Sequence, residues 1–259
     1  MIKILQISDL HIRETADGEM LHTKTYDTFR QVLAHAHAEH GPFNLILVSG
    51  DLAQDPVAAS YQLIAQALRE YPAPYLCLPG NHDDYTVMQS QLNSPRGGCG
   101  KYFNLGDWRL IALNSQLPGS DSGYFNAEEL QFLRHALNLA AGAPTLVAMH
   151  HHTLNSGSVW MDGMRLQNHA EFLAILEQAP QVKLTVCGHL HQALHWRFGS
   201  TDLYSCPATC FQFDLPSPRF GLTDQAPGYQ IIELAENGGH QVSPGWLPKS
   251  SLSPMAASG

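Results

Sequence analysis

Basic side chains are scarce in this chain. Lys and Arg number 14 against 23 Asp and Glu, for a formal net charge of -9. Proteins that grip a long nucleic-acid backbone do so with clustered Lys and Arg, so this balance excludes such a partner. It leaves room for a small anion held through metal ions, which bring their own positive charge. Cysteine is also sparse, with five in 259 residues, which argues against a disulfide framework. Cys77 and Cys187 sit in apolar runs and read as buried core thiols. Cys206 and Cys210 lie close together, but two thiols alone make a poor zinc site, so they also read as structural. No apolar run approaches the roughly 20 residues of a membrane span. Residues 1–7 are too short and too alternating for a signal peptide. These absences predict a soluble protein in a reducing, cytoplasmic setting. Internal repeats and linker-like stretches are missing too.

What is present has a globular balance. Hydrophobic residues make up 44% and charged residues 14%, a mixture that buries a core rather than staying disordered. The length suits one large α/β domain. Strand and helix alternate in the first half. Apolar runs at 2–7, 44–48 and 75–78 predict strands. Helical periodicity predicts helices over 25–39, with Tyr26, Phe29, Val32, Leu33 and Ala36 inward, and over 57–71, with Leu63, Ile64, Ala67 and Leu68 inward. Pro72 and Pro74 end the second helix. This order predicts a parallel sheet with right-handed crossovers. The middle differs. Segments 101–105 and 108–114 predict a hairpin around Gly106-Asp107. A helix over 127–140, a strand over 145–149, a helix over 168–178 and a strand over 182–187 follow. Further strands are predicted at 194–198, 203–205, 229–234 and 240–242. Pro, Ser and Gly dominate from Ser243 onward, so residues 1–245 read as one domain and 246–259 as a loose tail.

Five polar clusters each follow a predicted strand. They are Asp9-Leu10-His11, Gly50-Asp51, Gly80-Asn81-His82-Asp83, His150-His151-His152 and Gly188-His189-Leu190-His191. Ligands of open α/β sheets bind outside the carboxyl ends of strands, so clusters far apart in sequence can converge. Imidazole suits Zn, Fe and Mn, and carboxylate suits Mg and Mn. Thiols are absent from the clusters, which argues against a structural thiolate zinc. Two cations about 4 Å apart repel and need an anionic bridge, which a strand-end Asp supplies. The glycines beside Asp51, Asn81 and His189 predict sharp backbone turns there. Any one of these triplets alone is an ordinary polar pair. Five in order, each at a strand end, have no structural explanation as a set.

This ordered series resembles the calcineurin-like metallophosphoesterase family, whose pattern is Asp-x-His, Gly-Asp, Gly-Asn-His-Asp/Glu, His and Gly-His-x-His. All five elements match between Asp9 and His191. The resemblance implies an α/β fold, a four-layer α/β/β/α sandwich of two mixed sheets flanked by helices. It implies that Asp9, His11 and His191 hold one metal and Asn81, His150 and His189 the other, with Asp51 bridging. His82 is then the catalytic histidine facing the phosphate, with Asn81 and His82 contacting substrate. Gly50-Asp51-Leu52-Ala53-Gln54-Asp55, the triple histidine, Trp160-Met161-Asp162, Thr209-Cys210-Phe211-Gln212-Phe213 and Ala226-Pro227-Gly228-Tyr229 resemble more narrowly the bacterial 3′,5′-cyclic-AMP phosphodiesterases of class III. One departure is Thr153, where those enzymes commonly carry proline.

The implied chemistry is hydrolysis of 3′,5′-cyclic AMP to 5′-AMP by a metal-bridging hydroxide. The implied cofactors are two divalent or trivalent ions, Fe and Mn before Zn, and the implied state is a monomer or homodimer. A broader phosphodiesterase or phosphomonoesterase of the same fold is the alternative, and a non-catalytic binding scaffold a remote one. His151 reads as lining the site rather than ligating. Arg13 reads equally as surface or as a phosphate contact. Trp160, Phe211 and Phe213 read as core before purine stack.

Overall fold

A computed structural model describes residues 1–248 of the chain. Two six-stranded sheets organise it, beside a two-stranded hairpin of β2 (Glu19–Met20) and β3 (Thr23–Lys24). The first contains β1 (Ile2–Ile7), β4 (Leu45–Ser49), β5 (Tyr75–Leu78), β6 (Gly97–Gly98), β13 (Gly228–Leu234) and β14 (His240–Trp246), in the order β14-β13-β1-β4-β5-β6. The second contains β7 (Tyr102–Leu105), β8 (Trp108–Ala112), β9 (Thr145–Ala148), β10 (Val182–Cys187), β11 (His195–Phe198) and β12 (Thr201–Ser205), in the order β11-β12-β10-β9-β8-β7. Strands β1, β4, β5 and β6 run parallel, while β13 and β14 add antiparallel at one edge. In the other sheet β8, β9, β10 and β12 are parallel, with β7 and β11 antiparallel at the two edges. The expected βαβαβ start, the hairpin and the two mixed sheets are all present.

Strand periodicity builds the layers. Side chains alternate across a strand. Leu45 and Leu47 therefore face the inner layer with Ile4, Leu76, Leu146, Leu184 and Val186, while Ile46 and Val48 face outward. Because both faces are covered, these strands read as unbroken apolar runs. Helices α1 (Thr25–His40), α2 (Ala58–Arg69) and α3 (Tyr85–Leu92) cover the outer face of the first sheet. Helices α4 (Ala127–Leu139) and α6 (His169–Glu177) cover the second. A short turn, α5 (Val159–Asp162), lies between them in sequence. The layers are α/β/β/α, as expected.

Several local readings need correction. In α2 the inward face includes Tyr61 and Ala65, whereas Leu63 is only partly buried. Helix α3 was not expected from periodicity; it starts because the Asp84 side chain accepts the Thr86 and Val87 N–H groups. The composition shift at Ser243 does not end the sheet. Ser243 pairs with Ile231 and Trp246 with Gly228, since backbone pairing tolerates polar side chains on an edge strand. The rest of the tail, residues 249–259, lies outside the described residues. Among the described residues no helix is long and apolar enough to cross a membrane.

Candidate metal centre

The five clusters leave the carboxyl ends of β1, β4, β5, β9 and β10. The first three are neighbours in one sheet and the last two in the other. Backbone bonds stitch the loops together: Asp9 N–H donates to Gly50 O at 3.0 Å, His11 N–H to Asp51 O at 3.0 Å and Gly188 N–H to His150 O at 3.0 Å. The sheets meet where His189 N–H donates to Asp9 Oδ2 at 3.0 Å. Convergence at the strand ends is thereby fixed by main-chain geometry.

That geometry is strained. Asp9, His11, Asp51, His189 and His191 all have positive φ, between 47° and 69°. A non-glycine residue in this region costs on the order of 1–3 kcal/mol and persists only where its surroundings over-determine it. Five such residues at one place turn side chains that would otherwise point apart toward a common point. Gly50 (φ 99°) alone of the three expected glycines turns through the left-handed region. Gly80 and Gly188 turn sharply without it: Asp83 N–H closes on Gly80 O at 3.4 Å and Leu190 N–H on Gly188 O at 2.8 Å. At Gly80 the need is space: a Cβ would stand 2.1 Å from Asp51 Oδ1.

The side chains form two groups joined by one carboxylate. In the first, His11 Nε2 lies 3.2 Å from His191 Nε2, which lies 3.4 Å from Asp9 Oδ1. In the second, His150 Nε2 lies 3.2 Å from Asn81 Oδ1, and the His150 and His189 ring centroids are 5.1 Å apart. Asp51 Oδ2 stands between the groups, 3.8 Å from His11 Nε2 and 3.4 Å from His150 Nε2. All seven expected ligands are brought together. All but Asn81 are buried. His82 is half-buried at the rim, its ring 5.0 Å from that of His11 and its N–H on Asp51 Oδ1 at 2.9 Å.

The donor set fits two cations. His11 Nδ1 meets Gln54 Oε1 at 3.0 Å, His150 Nδ1 meets Ser49 O at 2.9 Å, and His191 Nδ1 meets Phe211 O at 2.8 Å. Each acceptor holds the proton on Nδ1 and turns the Nε2 lone pair inward, the usual way a second partner orients a metal-binding imidazole. His189 Nε2 is buried without a partner. Burial opposes charge on His191, but the Asp9 carboxylate outweighs it and holds the imidazole up at about 10. Burial likewise opposes charge on His150, and Asp51 raises it to about 9. Asp9 and Asp51 stay below the usual carboxylate range, because these histidines outweigh the burial that would raise them. The buried carboxylates thus demand positive charge, and a proton on each Nε2 supplies it when no cation does.

Both histidine values lie above the ordinary 6.5. Their stabilising contribution in chelated protein is therefore full below about pH 6.5 and is lost as pH rises through about 9 to 10. The melting temperature of chelated protein is expected to fall across that window more steeply than that of metal-loaded protein. Metal loading at pH 7 is expected to release about two protons, because ligating nitrogens must give theirs up. Calorimetry in buffers of different ionisation enthalpy measures this, and no proton release would contradict the assigned states.

Several supporting contacts carried no signal of their own in the sequence, although Asp83 itself belongs to the Gly80-Asn81-His82-Asp83 cluster. Asp83 receives the N–H groups of Gly80 at 2.9 Å, Leu52 at 3.1 Å and Ala53 at 3.0 Å, and the Tyr61 hydroxyl at 3.0 Å. Burial and the Asp51 charge push its carboxyl up to about 6 against the backbone donors. This clasp ties the Gly50 loop to the Gly80 loop. Gln116 adds its amide to the Gly80 and Asp83 carbonyls. Asp83→Asn turns an NH2 group toward bound donors, at about 1–3 kcal/mol for each one stranded. A melting temperature several degrees lower is expected; an unchanged one would make the clasp energetically idle.

Other expectations sort as follows. His151 is fully buried with Nδ1 2.7 Å from Ser115 Oγ, beside His150 and His189. Arg13 Nε pairs with Asp55 Oδ2 at 2.7 Å, so its charge is already engaged. All five cysteines are buried and free. Cys210 donates to the Asp9 carbonyl at 3.2 Å, and its sulfur also lies near the His11 and His191 nitrogens.

The family model for the calcineurin-like phosphoesterases matches residues 2–193. A 3′,5′-cyclic adenosine monophosphate phosphodiesterase CpdA of Vibrio vulnificus is 37% identical, over 92% of this chain and 87% of its own. The CpdA of Escherichia coli is 34% identical, over 92% and 86%. A dimetal phosphatase from Danio rerio superposes with a TM-score of 0.67 at 14% identity, covering 89% of this chain and 94% of its own, a likeness of fold. Five strand-end clusters, two groups of inward-turned imidazoles sharing one carboxylate, and this match across most of its length place the chain in the calcineurin-like phosphoesterase family.

Proposed function

We propose that this protein hydrolyses 3′,5′-cyclic AMP to 5′-AMP at a dinuclear metal centre, in the cytoplasm. The observation that carries the chemistry is Asp51 Oδ2 standing between the His11–His191–Asp9 group and the His150–Asn81 group. The choice of substrate is supported by relatives named as cyclic-AMP phosphodiesterases that match nearly end to end. On this reading Asp9, His11 and His191 hold one ion, Asn81, His150 and His189 the other, and Asp51 both. The set accepts Fe, Mn and Zn, of which we favour Fe and Mn. Two bound cations supply a nucleophile at neutral pH and neutralise charge that builds on the phosphoryl oxygens.

The chain's own residues do the rest. Buried Asp9 and Asp51 attract positive charge, and the Nδ1 acceptors hold each imidazole in one orientation. His82, at the rim and free of side-chain hydrogen bonds among the described residues, faces the place where a phosphate would sit. Its N–H donates to a phosphoryl oxygen or to the leaving 3′ oxygen as the P–O3′ bond breaks. Asn81, its neighbour, offers its amide to the same phosphate. The test is a turnover panel with added Mn²⁺: cyclic AMP, bis-p-nitrophenyl phosphate, p-nitrophenyl phosphate and ADP-ribose. Cyclic AMP is expected to lead, with 5′-AMP as product. Turnover of the synthetic diester without any of cyclic AMP would refute the substrate.

A further inference from the structure

The metal ligand His191 begins a chain of aromatic rings that leads out of the site. Phe213 stacks on its imidazole, with centroids 3.9 Å apart and planes 14° apart. Trp160 and Phe220 each meet Phe213 edge-on, at 5.3 Å and 5.7 Å, and meet each other at 5.7 Å. Phe213 and Trp160 are half-buried, whereas Phe220 is 56% exposed. Single exposed phenylalanines need no explanation. An exposed ring continuous with a metal ligand is a different matter, since it lies beside whatever the metals hold. The Trp160 Nε1–H is also buried without an acceptor among the described residues. Buried indole donors nearly always have one.

This wall is held in place. Phe213 and Leu222 form a bridge, and Asp214 N–H donates to Gly221 O at 2.8 Å. Gln192, next to His191, anchors the loop through Nε2 to Phe213 O at 2.6 Å. The Ser158 hydroxyl donates to Ser217 O, tying the α5 turn to the same loop. A platform built before the ligand arrives costs less ordering on binding.

We propose that Phe220 gives the face on which the base of the cyclic nucleotide stacks, with Phe213 and Trp160 holding that ring edge-on. The proposal rests on the cyclic-nucleotide reading of the site. A phosphate at the metals carries its base one ribose away, and the exposed ring of Phe220 stands two ring contacts from His191. Flat π-faces suit any base. These rings then set specificity; Trp160 and Phe213 are not merely core.

The test compares cyclic AMP with ribose 3′,5′-cyclic phosphate, which has the same reacting atoms and no base. The readout is the ratio of kcat/KM for the two, on metal-loaded protein. Phe220→Ala is expected to lower that ratio by about 5- to 150-fold, the range for one base stacked on one ring. Phe220→Trp is expected to restore it and Phe220→Leu to fall short, because leucine gives cover without a π-face. An unchanged ratio in Phe220→Ala, or full rescue by leucine, would overturn the platform. So would an unchanged ratio with a later gel-filtration elution, which would assign Phe220 to self-association. Binding gives a second readout that does not depend on turnover. 5′-AMP, but not ribose 5-phosphate, is expected to alter the tryptophan fluorescence of the wild type and not of Trp160→Phe. Should the wild type cleave bis-p-nitrophenyl phosphate but not cyclic AMP, the substrate reading fails, and this titration still decides the platform: no response to 5′-AMP overturns it.

Discussion

Replacing His82 with alanine is expected to slow cyclic-AMP hydrolysis by about 10²–10⁴, the range for a general acid or base, with both metals retained. That loss corresponds to roughly 3–5 kcal/mol of barrier. Retention of metal follows from the structure. The contact of residue 82 with the bridging carboxylate is its backbone N–H on Asp51 Oδ1, which alanine keeps. The imidazole itself sits half-exposed, edge-on to His11. Elemental analysis and kcat, measured on one preparation, separate two roles. The ring nitrogen also lies within ligand range of His11 and Asp51, so loss of an ion in the variant would make His82 a ligand. A kcat near wild type would remove it from the chemistry.

Asp51→Asn is expected to empty the centre. The amide keeps the shape and removes the one charge shared by the two groups. At an effective dielectric of about 20, an anion about 4 Å from a cation is worth about 4 kcal/mol, or nearly three decades of affinity. Two cations would also face each other without an intervening anion. Both ions should therefore weaken together, and activity should fall with them. Substituting Asn at Asp9 removes the carboxylate that lies 3.4 Å from His191 Nε2 and also stands within ligand range of Asp51 and His150, so the His191 group should lose its ion first. Full retention of two ions in Asp51→Asn would take Asp51 out of the bridging position.

The two variants probe residues that were legible in the sequence for the same reason. His82 and Asp51 belong to clusters of unusual composition that each end an apolar run. Such runs betray parallel strands covered on both faces, so the ends of β1, β4, β5, β9 and β10 were visible before any packing was known. The motif order carried the family resemblance that implies the ligand set. The helix faces of α1 were equally plain, since one apolar stripe at helical spacing has one reading.

Other features were silent because their signal is spread over the fold. Asp83 was visible as the end of the Gly80-Asn81-His82-Asp83 cluster, but its clasp was not, because the donors are backbone groups of Leu52, Ala53 and Gly80 and a backbone N–H leaves no mark on sequence. Ser49 O and Phe211 O orient His150 and His191 for the same reason invisibly. The left-handed φ at Asp9, His11, Asp51, His189 and His191 contradicts local preference, so no local rule would forecast it. Strand β14 runs through Ser243 and Trp246 because β13 offers a ladder, which composition does not reveal.

Residue type and period were enough to place the strands, their ends and the candidate metal-binding clusters, because these depend on burial and on chemistry that each residue carries alone. Long-range packing set the rest: how far Asp51 stands from each of the two groups, which nitrogen of each histidine turns inward, and where an aromatic wall meets the site. These depend on distances between segments as remote as Asp9, Asp51, His150 and His191, and such distances exist only once both sheets have closed on each other.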